Sequence, residues 1–279
     1  LLVAVHPGLL LYTGKLHALV FDSFFFSLMM VCFLRLLQSD NFRNRCFLGI
    51  ACGLSMLSRP TALIFVLVIS SWYLVSTQVS LPRRLARLGV IFVFIGIIVL
   101  PWIGRNYVVH GRPILVQSTS GVSFWKGNNP HASGGNLTVT NQSVLSLAPE
   151  RLMVQVLRAE DEVEQNELFL DEGLSFIRDN PGDFAELFMR KLFYFWWFSP
   201  QTGLLYPERY TDIYRVWYAI SLGCAFLGLW ASVSHSERIV KQSALMLVIF
   251  ILSISVAQSL FYVEGRHRWQ IEPLLLVLS

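Results

Sequence analysis

Charge is what this chain has least of. Only 14% of its 279 residues are Asp, Glu, Lys or Arg, while 54% are hydrophobic. Soluble domains carry roughly 25% charged residues, so an ordinary soluble globular domain is excluded. Cysteine is scarce too. Cys32, Cys46, Cys52 and Cys224 all fall in or beside apolar runs. They support neither a disulfide framework nor a zinc site, and they read as small apolar fillers. No P-loop, HExxH, GxGxxG or ordered Ser/His/Asp set stands out. No clustered His, Asp and Glu ligands call for a metal, and no cofactor is expected. The net charge of +4 forms no patch of the kind that binds nucleic acid.

What the chain has instead is a series of apolar runs of membrane-spanning length. They predict a mainly α, polytopic helical membrane protein with one long polar loop that itself contains helices. A helix is expected over 16–37. A second apolar stretch, 46–75, is divided at Arg59-Pro60, because Pro lacks the helix donor and biases its predecessor away from helical geometry. A further span is expected over 88–104, and two more over about 214–233 and 243–262. The polar region between them carries a helical stretch at about 150–178. The turn Asp179-Asn180-Pro181-Gly182-Asp183 follows, and then an aromatic and basic helix in which Trp196 and Trp197 suit the membrane–water boundary. This divides the chain into N-terminal transmembrane helices (1–104), a loop region (105–215) and C-terminal transmembrane helices (216–279), together one membrane domain. The chain begins inside an apolar run without Met and ends on PLLLVLS. It reads as a piece of a larger protein.

Basic residues assign the sides. Arg35, Arg43, Arg45, Arg83, Arg84, Arg87, Arg238 and Lys241 fall in one set of short connections; Lys15, Arg59, Arg266 and Arg268 fall in the opposite set. The positive-inside rule puts the larger set in the cytoplasm. The long loop, the Arg59 turn and the EGRHRW turn then share the outer face.

Arginine near lipid is costly unless it is paired or used, and its planar fork of donors suits a phosphate. Arg59, Arg105, Arg266 and Arg268 are therefore candidates for lipid-phosphate binding. Within SFWKGNNP, Trp125 could stack on a sugar or nucleobase face or serve equally as a buried or interfacial anchor, and Asn128 and Asn129 could bond sugar hydroxyls, although Asn-Asn-Pro also makes a good turn. Asp22 and Glu264 are weak candidates for a general base; pairing with an Arg is the simpler role for each. His267, between two Arg, is a possible acid–base group whose pKa the Arg would depress.

Several stretches resemble the multispanning glycosyltransferases of the GT-C superfamily, among them the protein O-mannosyltransferases and the lipid A aminoarabinose transferase. They are YTGKLHALVFDSFFFSLMMVCFLRLL, GLSMLSRPTALIF, RNYVVHGRPILVQSTSGVSFWKGNNPHASGG, FIRDNPGDFAELFMRKLFYFW and EGRHRWQIEPLLLVL. The resemblance implies an inverting transfer of a sugar from a polyprenyl-phosphate donor on the extracytoplasmic face, in a bacterial inner membrane. The acceptor is unspecified. Arg residues would steady the departing lipid phosphate, and the catalytic Asp would lie N-terminal to this chain. Two other readings share these features: a transporter or flippase of lipid-linked sugars, and a surface polysaccharide polymerase or ligase. Mid-span residues that are mostly Leu, Ile, Val and Phe argue against a polar passage.

Overall fold

The computed structural model describes residues 2–14, 17–76, 79–202 and 207–279; Lys15 and Leu16 lie outside the described residues. The order is α1 (Pro7–Thr13), α2 (Leu19–Gln38), α3 (Phe42–Ser58), α4 (Leu63–Ser76), α5 (Leu81–His110), α6 (Ser120–Gly127), α7 (Glu150–Arg158), α8 (Glu162–Asp179), α9 (Pro181–Trp196), α10 (Glu208–Ser234), α11 (Arg238–Gln258) and α12 (Glu272–Leu278). Short 3-10 turns precede α1, α4, α7 and α12. Among the described residues the only sheet-like pairing is a bridge between Leu137 and Ser143. Helices α2, α5, α10 and α11 are each long and apolar enough to cross a bilayer. The fold is that of a mainly helical, multi-pass membrane protein.

Local chemistry explains the breaks. Helix α3 starts where the Asn41 side chain accepts the Asn44 amide, one of the donors a helix leaves free at its N-terminus. It stops at Arg59, whose backbone is extended (φ −151°, ψ 125°) ahead of Pro60, as the residue before a proline prefers. Helix α5 contains 30 residues, so it is about 45 Å long and exceeds a hydrocarbon core of about 30 Å. It runs on past the expected boundary at residue 104, continuing through Pro101 and Gly104. It ends instead at Gly111, which takes the left-handed conformation (φ 67°) and returns its N–H to the Tyr107 carbonyl. The stretch read as one helix at 150–178 is two, because Asp161 caps α8 by accepting the Glu164 amide.

Helix α3 packs between α2 and α5. Gly49 and Gly53, four residues apart, face α5. A Cβ on Gly49 would lie 2.6 Å from the Ile91 carbonyl oxygen, and one on Gly53 would lie 2.7 Å from the Ile98 Cβ. Without a hydrophobic driving force between helices in lipid, such close backbone approach supplies the packing energy. Phe65 joins the helices around it, meeting Phe26 at 4.3 Å and Phe250 at 4.7 Å between ring centroids. A second, smaller core lies in the loop region, where Trp125 packs with Val144, Leu152, Val156 and Phe169.

The two ends of the bundle differ. At one, Asp40 accepts from Arg45 (2.6 Å), Arg87 (2.5 Å) and Tyr73. Arg45 and Arg87, from separate basic connections, therefore meet at one carboxylate. At the other end the Arg59 turn, the loop region and the Glu264–Gln270 turn come together.

Candidate functional site

The loop region is stapled to the turn after α11. Val263 donates its N–H to the Gly134 carbonyl (2.9 Å), and the Asn128 amide donates to the Leu260 carbonyl (2.7 Å). Gly127 ends α6 against this turn, where a Cβ would lie 2.5 Å from the Phe261 carbonyl carbon. The close approach sets Lys126 above the Tyr262 ring, with its ammonium 5.6 Å from the centroid.

Around Tyr262 the charges collect. Arg266 pairs with Glu264 at 2.6 Å. Arg59 lies 3.5 Å from Asp22, and Ser58 donates a further hydrogen bond to that carboxylate. Arg59 is also an electrostatic neighbour of Tyr262 and Arg266. Lys126 has both Glu264 and Arg266 in electrostatic range; burial lowers its pKa, and Arg266 adds to the depression. Burial and Glu264 raise the Tyr262 phenol. Burial, followed by Arg59 and Arg266, holds His267 well below its ordinary value. A neutral imidazole suits its structural work, since His267 Nδ1 accepts the Glu264 N–H at 3.2 Å and closes a capping box. The cluster thus sets the cations Arg59, Lys126 and Arg266 against the carboxylates Asp22 and Glu264.

It is also open. The side chains of Arg59 and Arg266 remain 23% and 34% exposed. Guanidinium and ammonium groups gathered at a partly solvated surface can hold an anion, because part of each donor set still faces outward.

The other candidates stand elsewhere. Arg105 is on α5, five residues before its end, with its guanidinium 5.2 Å from the Trp102 ring and a bond to Asn106 (3.1 Å). No described contact joins it to the cluster. Arg268 is turned inward, only 1% exposed at its side chain. It pairs with Glu272 at 2.9 Å, donates to the Tyr214 hydroxyl at 3.0 Å, and lies 3.9 Å from the Tyr218 centroid. Glu272 also bonds His6 and Tyr214. Its neighbours here are protein groups on every side, so the expected grouping of Arg268 with Arg59 and Arg266 does not form.

Trp125 is only 1% exposed and packs 5.4 Å from the Phe169 ring, so in this conformation it presents no stacking face. The Asn128 amide donates to the Phe124 and Leu260 carbonyls and accepts from Lys191 (2.9 Å). The Asn129 amide donates to the Trp125 carbonyl and accepts the His131 amide. Both amides tie the loop, as the turn reading of Asn-Asn-Pro has it. Reasoning from residues alone passed over Lys126 and Tyr262. Lys126 left a trace, as the one cation in SFWKGNNP; Tyr262 left none. Lys191, fully buried, was read only as part of an aromatic and basic helix. It donates to the Gly127 carbonyl at 3.0 Å, and burial lowers its pKa to about 7. No family model, no curated protein and no solved structure matches this chain.

Proposed function

We propose that the chain is the membrane part of a glycosyltransferase that takes a sugar from a polyprenyl-phosphate donor on the extracytoplasmic face. The observation that supports this reading is the partly exposed cluster of Arg59, Lys126 and Arg266, gathered where the loop region folds onto the ends of the spans. A leaving lipid phosphate develops charge as the anomeric bond breaks, and preorganised cations at that point lower the barrier. In this reading Asp22 and Glu264 position the arginines rather than take the acceptor proton, because each already holds a cation. The GT-C type of fold, the bacterial inner membrane and the outward orientation of the loop region all belong to this proposal. They rest on motif resemblance and on the distribution of basic residues.

The test is donor turnover in liposomes with radiolabelled polyprenyl-phosphate sugars, comparing the full-length protein with Arg59→Ala, Arg266→Ala and Lys126→Ala. Donor consumption slowed tenfold or more, about 1.4 kcal/mol of barrier, supports both the transferase and the phosphate role. A donor that crosses the bilayer intact makes the protein a flippase instead. Consumption with unchanged rates in all three variants would remove the cluster from the chemistry.

A further inference from the structure

The end of the bundle opposite the loop region is short of acid. Six arginines stand there, Arg35, Arg43, Arg45, Arg83, Arg84 and Arg87, and Asp40 is the only carboxylate in the chain between the first and the last of them. Arg45 and Arg87 already hold Asp40, and Arg84 donates to the Leu74 and Val79 carbonyls. Arg43 and Arg83 differ from these. Both are exposed, and neither has a carboxylate partner among the described residues. The Arg43 guanidinium lies instead over the Phe47 ring, 5.4 Å from its centroid. Helices α3 and α5 run side by side in the same direction, with Gly49 against Ile91 and Gly53 against Ile98, so their first turns, which carry Arg43 and Arg83, lie close to one level. Beyond Arg83 the outer face of α5 is a shallow apolar groove lined by Gly89, Phe92, Gly96, Ile97 and Leu100. A Cβ on Gly89 would have nothing within 4 Å, and one on Gly96 would meet only Leu100 of the same helix. Arg83, Val90 and Ile97 recur every seven residues and share one face of α5, so the groove opens along the line of Arg83. It runs from Gly89 to Pro101, about 18 Å at helical rise. One leaflet of a hydrocarbon core of about 30 Å is about 15 Å deep.

We propose that this surface is a binding site for an anionic diacyl phospholipid, with its phosphate held between Arg43 and Arg83 and one acyl chain laid in the α5 groove. A guanidinium offers a planar fork of donors that fits phosphate oxygens, and neither of these two has a competing carboxylate. Free phosphate would use the arginines but not the groove. A zwitterionic lipid would use the groove but would bring its own cation to the arginines. Arginines at the mouth of an apolar groove of leaflet depth therefore select a lipid of net negative charge. The site lies at the opposite end of the bundle from Arg59, Lys126 and Arg266, and its occupancy is independent of any sugar transfer.

Native mass spectrometry of the full-length protein in detergent tests the assignment. The probes are phosphatidylglycerol and phosphatidylcholine with identical acyl chains, glycerol 3-phosphate, which has the charge without the chains, and polyprenyl phosphate. The expected result is one phosphatidylglycerol bound in preference to phosphatidylcholine. A cation near an anionic headgroup contributes a factor of about five in affinity, so Arg43→Gln and Arg83→Gln should each weaken phosphatidylglycerol binding about fivefold. Gly96→Phe, which fills the groove, should weaken it with both arginines in place. Arg35→Gln removes an exposed arginine at the same end on α2 and should leave binding nearly unchanged. Equal binding of the two phospholipids by the unaltered protein overturns the proposal. So does a loss in Arg35→Gln that matches the losses at 43 and 83, which would be a general effect of charge. Glycerol 3-phosphate bound as tightly as phosphatidylglycerol would make this a site for free phosphate, and a preference for polyprenyl phosphate would give it to another lipid; either result also overturns the proposal.

Discussion

The ammonium of Lys191 donates to the carbonyl oxygen of Gly127 at 3.0 Å across 64 positions of chain, with the side-chain oxygen of Asn128 as its second acceptor at 2.9 Å. No carboxylate within ion-pairing distance accompanies it among the described residues. A lysine in that position holds the end of α6 against α9, and its charged form is disfavoured by burial. Its folded pKa of about 7 lies below the unfolded value of about 10.4. Between the two the unfolded chain binds more protons, so the Lys191 contribution to stability rises as pH increases through this window and is flat below it. Lys191→Met leaves the Gly127 and Asn128 oxygens without their donor, at a cost of about 1–3 kcal/mol. That deficit is expected to be larger at pH 9 than at pH 6. Thermal unfolding of both proteins in detergent across that range checks it, and parallel pH profiles count against it.

Gly49 and Gly53 set how closely α3 approaches α5. Gly49→Ala places a methyl group 2.6 Å from the Ile91 carbonyl oxygen, and backbone cannot yield as a side chain can. A loss of about 1–3 kcal/mol is expected, the usual range for overpacking. Gly89→Ala on α5 has nothing within 4 Å of the new Cβ. It should stabilise the helix by about 0.5–1 kcal/mol. The difference in melting temperature between the two variants reads the contact directly.

Arg268 and Arg266 should respond in opposite ways. Arg268→Ala strands the buried Glu272 carboxylate, and breaking a buried pair costs about 3–5 kcal/mol. Arg266 and its partner Glu264 are both partly exposed. Arg266→Ala is therefore expected to leave the melting temperature nearly unchanged while binding of a lipid phosphate is lost. Melting curves together with phosphate-lipid binding to purified protein separate the roles.

Trp125→Ala removes the centre of the loop-region core, at an expected cost of about 3–5 kcal/mol. Because α6 carries Lys126 as well as Trp125, the local loss should appear as faster amide exchange through α6 and α8. The spanning helices should keep their protection.

Much of the architecture was legible from residue patterns. Apolar run length identified the spans, because about 20 apolar residues is what a bilayer core demands. Arg59-Pro60 announced its own break, because proline restricts its predecessor wherever it occurs. Ends of helices were harder. The helix runs through Pro101 and Gly104 in LPWIGRNYVVHG and stops only at Gly111, whereas the loop was expected to begin at Arg105, where the apolar run gives way to polar residues. The division between α7 and α8 at Asp161 was missed for a related reason. Asp161 caps only when the chain before it turns away, and a string of acidic residues does not announce that.

The same contrast holds for charged residues. Composition and periodicity, which act through local geometry and transfer from water to lipid, determined that this is a helical multi-pass membrane protein with polar elements gathered at one end. They could not distinguish Arg266 from Arg268, two residues apart. On a tight 3-10 turn, that step sends one guanidinium to the half-open cluster beside Glu264 and the other into the buried company of Glu272, Tyr214 and Tyr218. Nor could they place Lys126 over Tyr262, or Lys191 under Gly127. Those neighbours are more than 60 residues apart in sequence. Their meeting depends on how separate helices pack, and only the tertiary structure decides that.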